Sequence, residues 1–247
     1  MDAPRSNVPV PTNPMWHVRH VVETGSTNVD LLASAATGAP HGTVLVTDHQ
    51  TAGRGRLDRR WDAPPGSNLL VSVLFRRGFD PANPHQLTQR VAVAAAEAIE
   101  ACTDRRPTLK WPNDLLLDGA KLAGILAQAG TVDGRVDHVV VGMGCNLRWA
   151  PPGAATLPDV DRDVLLAAWL NRLARRFEQP IGEVYRARLS TIGQRVRVER
   201  TTGDLIGVAV GVTDAGELLV DEMSDAGGDA VRHVIAVGDV IHLRAAD

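Results

Sequence analysis

The sequence predicts an α+β fold: a mixed, mostly antiparallel sheet packed with helices, followed by a small C-terminal β-barrel of the SH3 type. Three features point that way. The Asp-Gly pairs 118–119 and 133–134 each separate two apolar runs, the pattern of tight β-hairpins. Between Pro84 and Cys102, the residues Leu87, Val91, Ala94, Ala95 and Ala98 recur at helical spacing, which aligns them on one face. From Gln194 onward the texture changes to short strands divided by Asp and Gly turns, as a small five-stranded barrel requires.

Taken in order, residues 1–14 form a polar, Pro-rich tail. Trp16 to Glu23 reads as a strand carrying Val18, Val21 and Val22. Thr27, with Asp30 three residues on, reads as a capping box that opens a helix with Leu31, Leu32 and Ala35 on its apolar side. Thr43 to Thr47 is a short strand, His49 to Arg60 a polar loop with two glycines, and Asn68 to Phe75 a buried strand. The runs 109–117, 121–128 and 136–143 then stand side by side as three antiparallel strands. Asp161 or Asp163 caps a helix that reaches Phe177, and a short helix covers Glu183 to Leu189. Five strands end the chain: Arg195–Glu199, Leu205–Val212, Leu218–Asp221, Val231–Ala236 and Val240–Leu243. The expected division is a tail at 1–14, a main domain at 15–190 and a barrel at 191–247.

Composition excludes several classes of function. A formal net charge of −3 argues against a protein whose main task is gripping nucleic acid, so no DNA partner is expected. No apolar run reaches the roughly 18–20 residues that span a bilayer, and the N-terminus lacks a charged-then-apolar signal. Cys102 and Cys145 are too few for a disulfide framework and lack metal-ligand spacing. A cytoplasmic protein without a metal site of its own is expected. The basic residues are more informative: 24 of the 26 are arginine, and the two lysines, Lys110 and Lys121, lie eleven residues apart. Either this is chance in a lysine-poor chain, or a compact ammonium does something there that a forked guanidinium cannot.

Common phosphate motifs are absent: there is no Walker loop, and Gly53-Arg54-Gly55 and Gly142-Met143-Gly144 both lack the third glycine of a dinucleotide fingerprint. The loop from Gln50 to Arg56 instead sets Arg54 and Arg56 among Gly53 and Gly55. Such a loop is either a solvated turn or a cradle whose N–H groups and guanidinium forks take anionic oxygens. Lys110-Trp111-Pro112-Asn113-Asp114 is denser. Asn113 has the donors and acceptors that an adenine edge or ribose needs, and Asp114 could hold a metal or a substrate proton. Gly124, inside a strand that begins near Lys121, marks either weakness or close backbone approach.

Four ordered blocks, Ser26-Thr27-Asn28, Gly53-Arg54-Gly55-Arg56, Lys110 to Asp114 with Lys121 to Leu126, and Gly142-x-Gly144-x-Asn146, together resemble the biotin protein ligases over roughly Val18 to Arg244. The resemblance implies the class II synthetase-like fold of the biotin and lipoate ligases. It also implies ATP-dependent formation of biotinyl-5′-AMP with Mg²⁺, and transfer of biotin to a lysine of a biotin carboxyl carrier domain. By position, Ser26, Thr27, Asn28 and Gln50 would meet the ureido end of biotin, while Gly124, Ile125 and Leu126 would line its ring and chain. Gly53, Arg54, Gly55 and Arg56 would fold over biotin and the acyl-adenylate, and Lys121, Arg54 and Arg56 would carry the catalytic charge. Arg56, Trp61, Lys110, Trp111, Asn113, Asp114, Lys121 and Asn146 would surround the nucleotide.

Three rivals stand beside this reading. A lipoate ligase of the same superfamily would carry an Arg-rich block and three glycines where this chain has Gly53-Arg54-Gly55-Arg56. A biotin-responsive repressor would need a helix-turn-helix, and about 15 residues before the first strand cannot make one. A non-catalytic SH3-like binding module would leave the first 190 residues unexplained. A monomer or weak homodimer is expected.

Overall fold

Two-residue turns set the strand order. Asp118 and Gly119 have φ values of 51° and 79°, and Asp133 and Gly134 have 50° and 75°. Both residues of each pair thus occupy the left-handed region that a type I′ hairpin turn demands. The computed structural model describes residues 13–77, 79–80, 85–177, 179–200, 203–222, 230–236 and 238–242. The expected tail up to residue 12, Pro84 and Leu243 lie outside the described residues.

The chain runs through β1 (His17–Thr24), α1 (Thr27–Ala36), β2 (Thr43–Gln50), β3 (Leu69–Phe75), α2 (His85–Cys102), β4 (Thr108–Lys110), β5 (Asp114–Leu117), β6 (Ala120–Val132) and β7 (Arg135–Cys145). These strands form one sheet in the order β1-β2-β3-β7-β6-β5-β4. Only the β1–β2 pair is parallel, so the sheet is mixed and mostly antiparallel, as the sequence implies. The expected strand over 109–117 is two strands, β4 and β5, because Trp111, Pro112 and Asn113 form a turn between them. After α3 (Arg162–Phe177) and α4 (Gly182–Arg188) come β8 (Arg195–Glu199), β9 (Leu205–Val212), β10 (Leu218–Glu222), β11 (Val231–Ile235) and β12 (Asp239–His242). They form a second, antiparallel sheet in the order β11-β10-β9-β8-β12.

Strand alternation distributes the apolar residues to two layers. On one face of the large sheet, Leu31 and Ala35 of α1 pack on Leu45, Leu74 and Val140. The opposite face carries Val44, Val46, Val71, Val73, Val139 and Val141 in the main core with α2 and α3. α2 is buried well beyond its expected stripe: Ala92, Val93 and Ala96 are also inaccessible, because α3 covers its second side. Trp169 is fully buried there and donates Nε1 to Val91 O at 3.3 Å.

The helix starts differ in outcome. Asp161 is the cap of α3, its Oδ1 accepting from Asp163 N at 2.9 Å and Val164 N at 3.0 Å. At α1 the expected capping box does not form. Ser26 occupies the cap position without a side-chain cap hydrogen bond, and Asp30 accepts from the Thr24 hydroxyl instead. Thr27 is already helical, and its side chain is engaged elsewhere.

Trp111 joins the two sheets. It is 3% exposed, its backbone N donates to Thr191 Oγ1 at 3.0 Å, and its Nε1 donates to Gly216 O at 2.8 Å. α4 is tied to α2 by Arg188, which donates to both Glu100 carboxylate oxygens at 2.8 and 3.0 Å. The Arg188 hydrogen bond holds the Glu100 carboxyl below its ordinary range despite the opposing effect of burial. A depressed carboxylate pKa stabilises the fold at neutral pH, and that contribution disappears as pH falls through the depressed value. Glu100→Gln is therefore expected to be less stable than the parent at pH 7, with the difference closing under acid. Urea melts at a series of pH values check this, and a pH-independent difference would contradict it.

Candidate active site

On the α1 face of the large sheet, the side chains of β7 shrink from Val140 under the helix to Gly142 and Gly144 at its end. Gly124 of β6 pairs directly with Gly144. This patch of bare backbone is the floor of a cavity of about 260 Å³, walled by the start of α1, the 54–62 loop, Asn113 and Asp114, and Asp239 of the second sheet.

The floor has no room for side chains. A Cβ at Gly142 would sit 2.2 Å from Asn28 Oδ1, and one at Gly144 would sit 2.3 Å from Trp61 Cε2. A Cβ at Gly124 would meet Trp61 Cζ3 at 2.9 Å. The Trp61 indole thus lies on two glycines paired across β6 and β7, with Lys121 Nζ 5.7 Å from its ring centroid. Among the described residues its Nε1 is a buried donor with no hydrogen-bond partner, a costly arrangement that native structures keep rare.

At the α1 end the wall is a polar network. Gln50 Oε1 accepts from Thr27 N at 2.8 Å and Thr27 Oγ1 at 3.0 Å. Asn28 Nδ2 donates to Leu126 O at 3.1 Å and Gln128 Oε1 at 2.9 Å. Ser72 Oγ lies 2.7 Å from Thr27 Oγ1 and 2.6 Å from Asn28 Oδ1, so its single proton serves one of the two. Ser72 is fully buried in an otherwise apolar strand. That lone polar residue in Leu69–Phe75 is the signal from which its place could have been read.

The other end is charged. Among the described residues, five cationic side chains, Arg54, Arg56, Arg59, Arg60 and Lys121, line the cavity with three carboxylates, Asp62, Asp114 and Asp239. The cavity is therefore net positive in a chain of formal charge −3, which suits an anionic ligand. Lys121 Nζ lies 2.7 Å from Asp114 Oδ1 as an ion pair, without the alignment of a hydrogen bond. Burial pulls the Arg56 guanidinium below its ordinary range, and Asp239 and Asp114 oppose this. Its Nη1 reaches Asn113 Oδ1 at 3.4 Å and its Nη2 reaches Gly238 O at 3.1 Å. Arg59 pairs with Asp239. These contacts hold the loop against the second sheet.

The loop closes on itself as well. Arg54 and Arg60 form a β-bridge, Gly55 N donates to Arg59 O at 2.7 Å, and Leu57 and Asp58 turn the tip with φ values of 52° and 56°.

Most of the residues singled out in the sequence converge here. Ser26, Thr27, Asn28 and Gln50, then Arg54, Gly55 and Arg56, line the cavity with Trp61, Asn113 and Asp114. Lys121, Gly124, Ile125, Leu126 and Asn146 complete this set. Three do not reach the wall. Trp111 is buried between the sheets, and Lys110 precedes it in β4, off the cavity wall. Gly53 packs on backbone, where a Cβ would stand 2.3 Å from Trp61 O. Asp239 is an addition that no local pattern announces, since it arrives from a strand 180 residues beyond Arg59.

Residues 23–146 match the model of the biotin/lipoate A/B protein ligase family, and residues 191–243 match that of the biotin protein ligase C terminal domain. The chain is 40% identical to the biotin–[acetyl-CoA-carboxylase] ligase of Mycobacterium tuberculosis, covering 91% of this chain and 88% of that protein. The chain belongs to the biotin/lipoate A/B protein ligase family. It is also 30% identical to the bifunctional ligase/repressor BirA of Bacillus subtilis, over 76% of this chain and 64% of that family member. Among solved structures, the biotin protein ligase from Aquifex aeolicus in complex with biotin and ATP superposes with a TM-score of 0.76 at 27% identity. That match covers 92% of this chain and 99% of the other.

Ser72→Ala would remove the hydroxyl that lies between Thr27 and Asn28 and leave a polar atom of the cavity wall unmatched. The expected cost is about 1–2 kcal/mol of stability in urea melts. A variant as stable as the parent would mean that the network contributes nothing to the fold.

Proposed function

We propose that this chain is a biotin protein ligase, which activates biotin with ATP as biotinyl-5′-AMP and transfers the acyl group to a lysine of a biotin carboxyl carrier domain. The observation that carries the reading is the cavity itself: a polar, uncharged end at α1 and a cationic end at Lys121 and Arg56, joined by a glycine floor. A ligand with a hydrogen-bonding head, an apolar chain and an anionic tail fits that gradient. The likeness to the Mycobacterium tuberculosis ligase and to the Aquifex aeolicus complex with biotin and ATP supports the same assignment.

In this reading Ser26, Thr27, Asn28 and Gln50 hold the ureido head of biotin, whose N–H and C=O groups match their mixed donors and acceptors. Gly124, Ile125 and Leu126 flank its ring and chain, and Trp61 shapes the nucleotide's pocket. The biotin carboxylate attacks the α-phosphate of ATP and pyrophosphate leaves. Two anions must meet, so the ammonium of Lys121 and the guanidiniums of Arg54 and Arg56 offset their charge. Asn113 and Asn146 stand by the nucleotide. The loop, held by its contacts with Gly238 and Asp239, keeps water from the mixed anhydride. The carrier lysine then attacks the acyl carbonyl and AMP departs.

Mg²⁺ belongs to the same reading. Among the described residues no group of three or more His, Cys, Asp or Glu could cage a metal ion. Mg²⁺ needs no such cage beside a nucleotide, since one or two carboxylates and the phosphates suffice. Asp114, largely shielded in the cationic end, would hold it. When bound, it would neutralise phosphate charge. Among the described residues no helix is long and apolar enough to cross a membrane, and a cytoplasmic setting is part of the proposal.

Pyrophosphate release from ATP with biotin or with lipoate, without carrier, tests the reading in the parent and in Lys121→Ala. Biotin-dependent release that falls at least about a hundredfold in the variant is expected. Release with lipoate alone would move the chain to the sister activity, and release with neither acid would sink the ligase reading.

A further inference from the structure

The chain concentrates positive charge at the cavity almost wholly as arginine. Of the five cations on its wall four are guanidiniums, and the fifth, Lys121, is held 2.7 Å from Asp114. The chain's other lysine, Lys110, lies off the wall. Arg54, Arg59 and Arg60 are exposed at the rim, with Arg59 and Arg60 each leaving more than half of the side chain accessible. In the ligase reading, a carrier's lysine would pass these exposed wall residues to reach the acyl group. Lysine would give the same formal charge at each of these positions, but with a different chemistry. An ε-amine that loses its proton exposes a nucleophilic lone pair, whereas the delocalised guanidinium stays protonated at any working pH.

We propose that the arginine rim at Arg54, Arg59 and Arg60 determines acceptor specificity, by supplying cationic charge around the acyl-adenylate without an amine that could be acylated in place of the carrier's. The inference rests on the ligase reading above. The reaction it forecloses is simple. A neutral ε-amine at the rim attacks the acyl carbonyl carbon of the mixed anhydride, and a C–N amide bond forms. The C–O bond to phosphate breaks, AMP leaves with the electron pair, and the amine proton passes to solvent. With arginine at the rim and Lys121 ion-paired to Asp114, the first free amine that the activated acyl group meets is the incoming one. Reactivity, and not only recognition, then selects the carrier.

The test places amines at the rim of the full chain. Arg59→Lys and Arg60→Lys are compared with Arg135→Lys, an exposed position at the start of β7, the opposite end of that strand from the cavity floor. Each is incubated with biotin, ATP and Mg²⁺ in the absence of carrier. Pyrophosphate release reports adenylate formation, and intact-mass spectrometry with peptide mapping reports covalent biotin and its position. Synthetic biotinyl-5′-AMP is supplied to any variant that no longer makes its own.

Biotin amide at position 59 or 60 in the rim variants is expected to exceed that at position 135 in Arg135→Lys about tenfold or more, from the high effective concentration of a neighbouring group. The parent should carry none at Lys110 or Lys121. Rim lysines that stay unmodified, rim and remote lysines modified equally, or a parent modified at Lys121 would each overturn the proposal. A parent that releases no pyrophosphate with biotin is a separate result, and it removes the ligase reading itself.

Discussion

The architecture of the site depends on one steric constraint, the absence of side chains where β6 and β7 pass beneath it. Gly124, Gly142 and Gly144 all project toward the α1 face, and each is approached by a side chain to within a distance that no Cβ would tolerate. Asn28 comes down onto Gly142, which brings its amide to Leu126 O and Gln128. Trp61 comes down onto the Gly124–Gly144 pair, which seats the 54–62 loop and sets Lys121 beside the indole. Glycine in a strand interior weakens the strand, since it adds no packing and loses backbone entropy. Here that weakness is offset by the long ladder between β6 and β7 and by the core on the opposite face.

Around this floor the charge is arranged in two steps. The loop carries Arg54, Arg56, Arg59 and Arg60 to the cavity, and the second sheet provides Asp239 and the carbonyl of Gly238 to hold two of them. The C-terminal sheet is thereby part of the site rather than an appendage. Trp111 fixes that sheet against the first through Thr191 and Gly216. The same side chain that joins the two sheets thus secures the geometry that lets Asp239 reach Arg59. Trp111, expected beside the nucleotide, therefore does its work at a distance.

Much of this was legible in the sequence wherever the signal was local. The Asp-Gly turns fixed two hairpins, the spacing of Leu87, Val91, Ala94 and Ala98 fixed a helix, and the strands β8 to β11 were read to within a residue at both ends. Short motifs brought most wall residues together because their glycines and amides are demanded by close approach, which is itself a local property. Three things failed for a common reason. The Thr27 cap gave way to a tertiary hydrogen bond with Gln50, Trp111 was drawn into the contact between sheets, and Asp239 arrived from a distant strand. Each depends on a partner far away in sequence, and no window of neighbouring residues contains it.

The measurement that bears most directly on the account is the affinity for biotin of Gly144→Ala, followed by calorimetry beside tryptophan fluorescence and a thermal melt. The added methyl would collide with a side chain on a surface loop, not with the core, so the protein should fold with a nearly unchanged melting temperature. Trp61 should leave its seat, the emission should change, and biotin should bind about tenfold or more weakly, a loss of roughly 1.4 kcal/mol or greater. A folded variant that binds biotin as tightly as the parent, with unchanged emission, would contradict the claim that the bare floor organises the site.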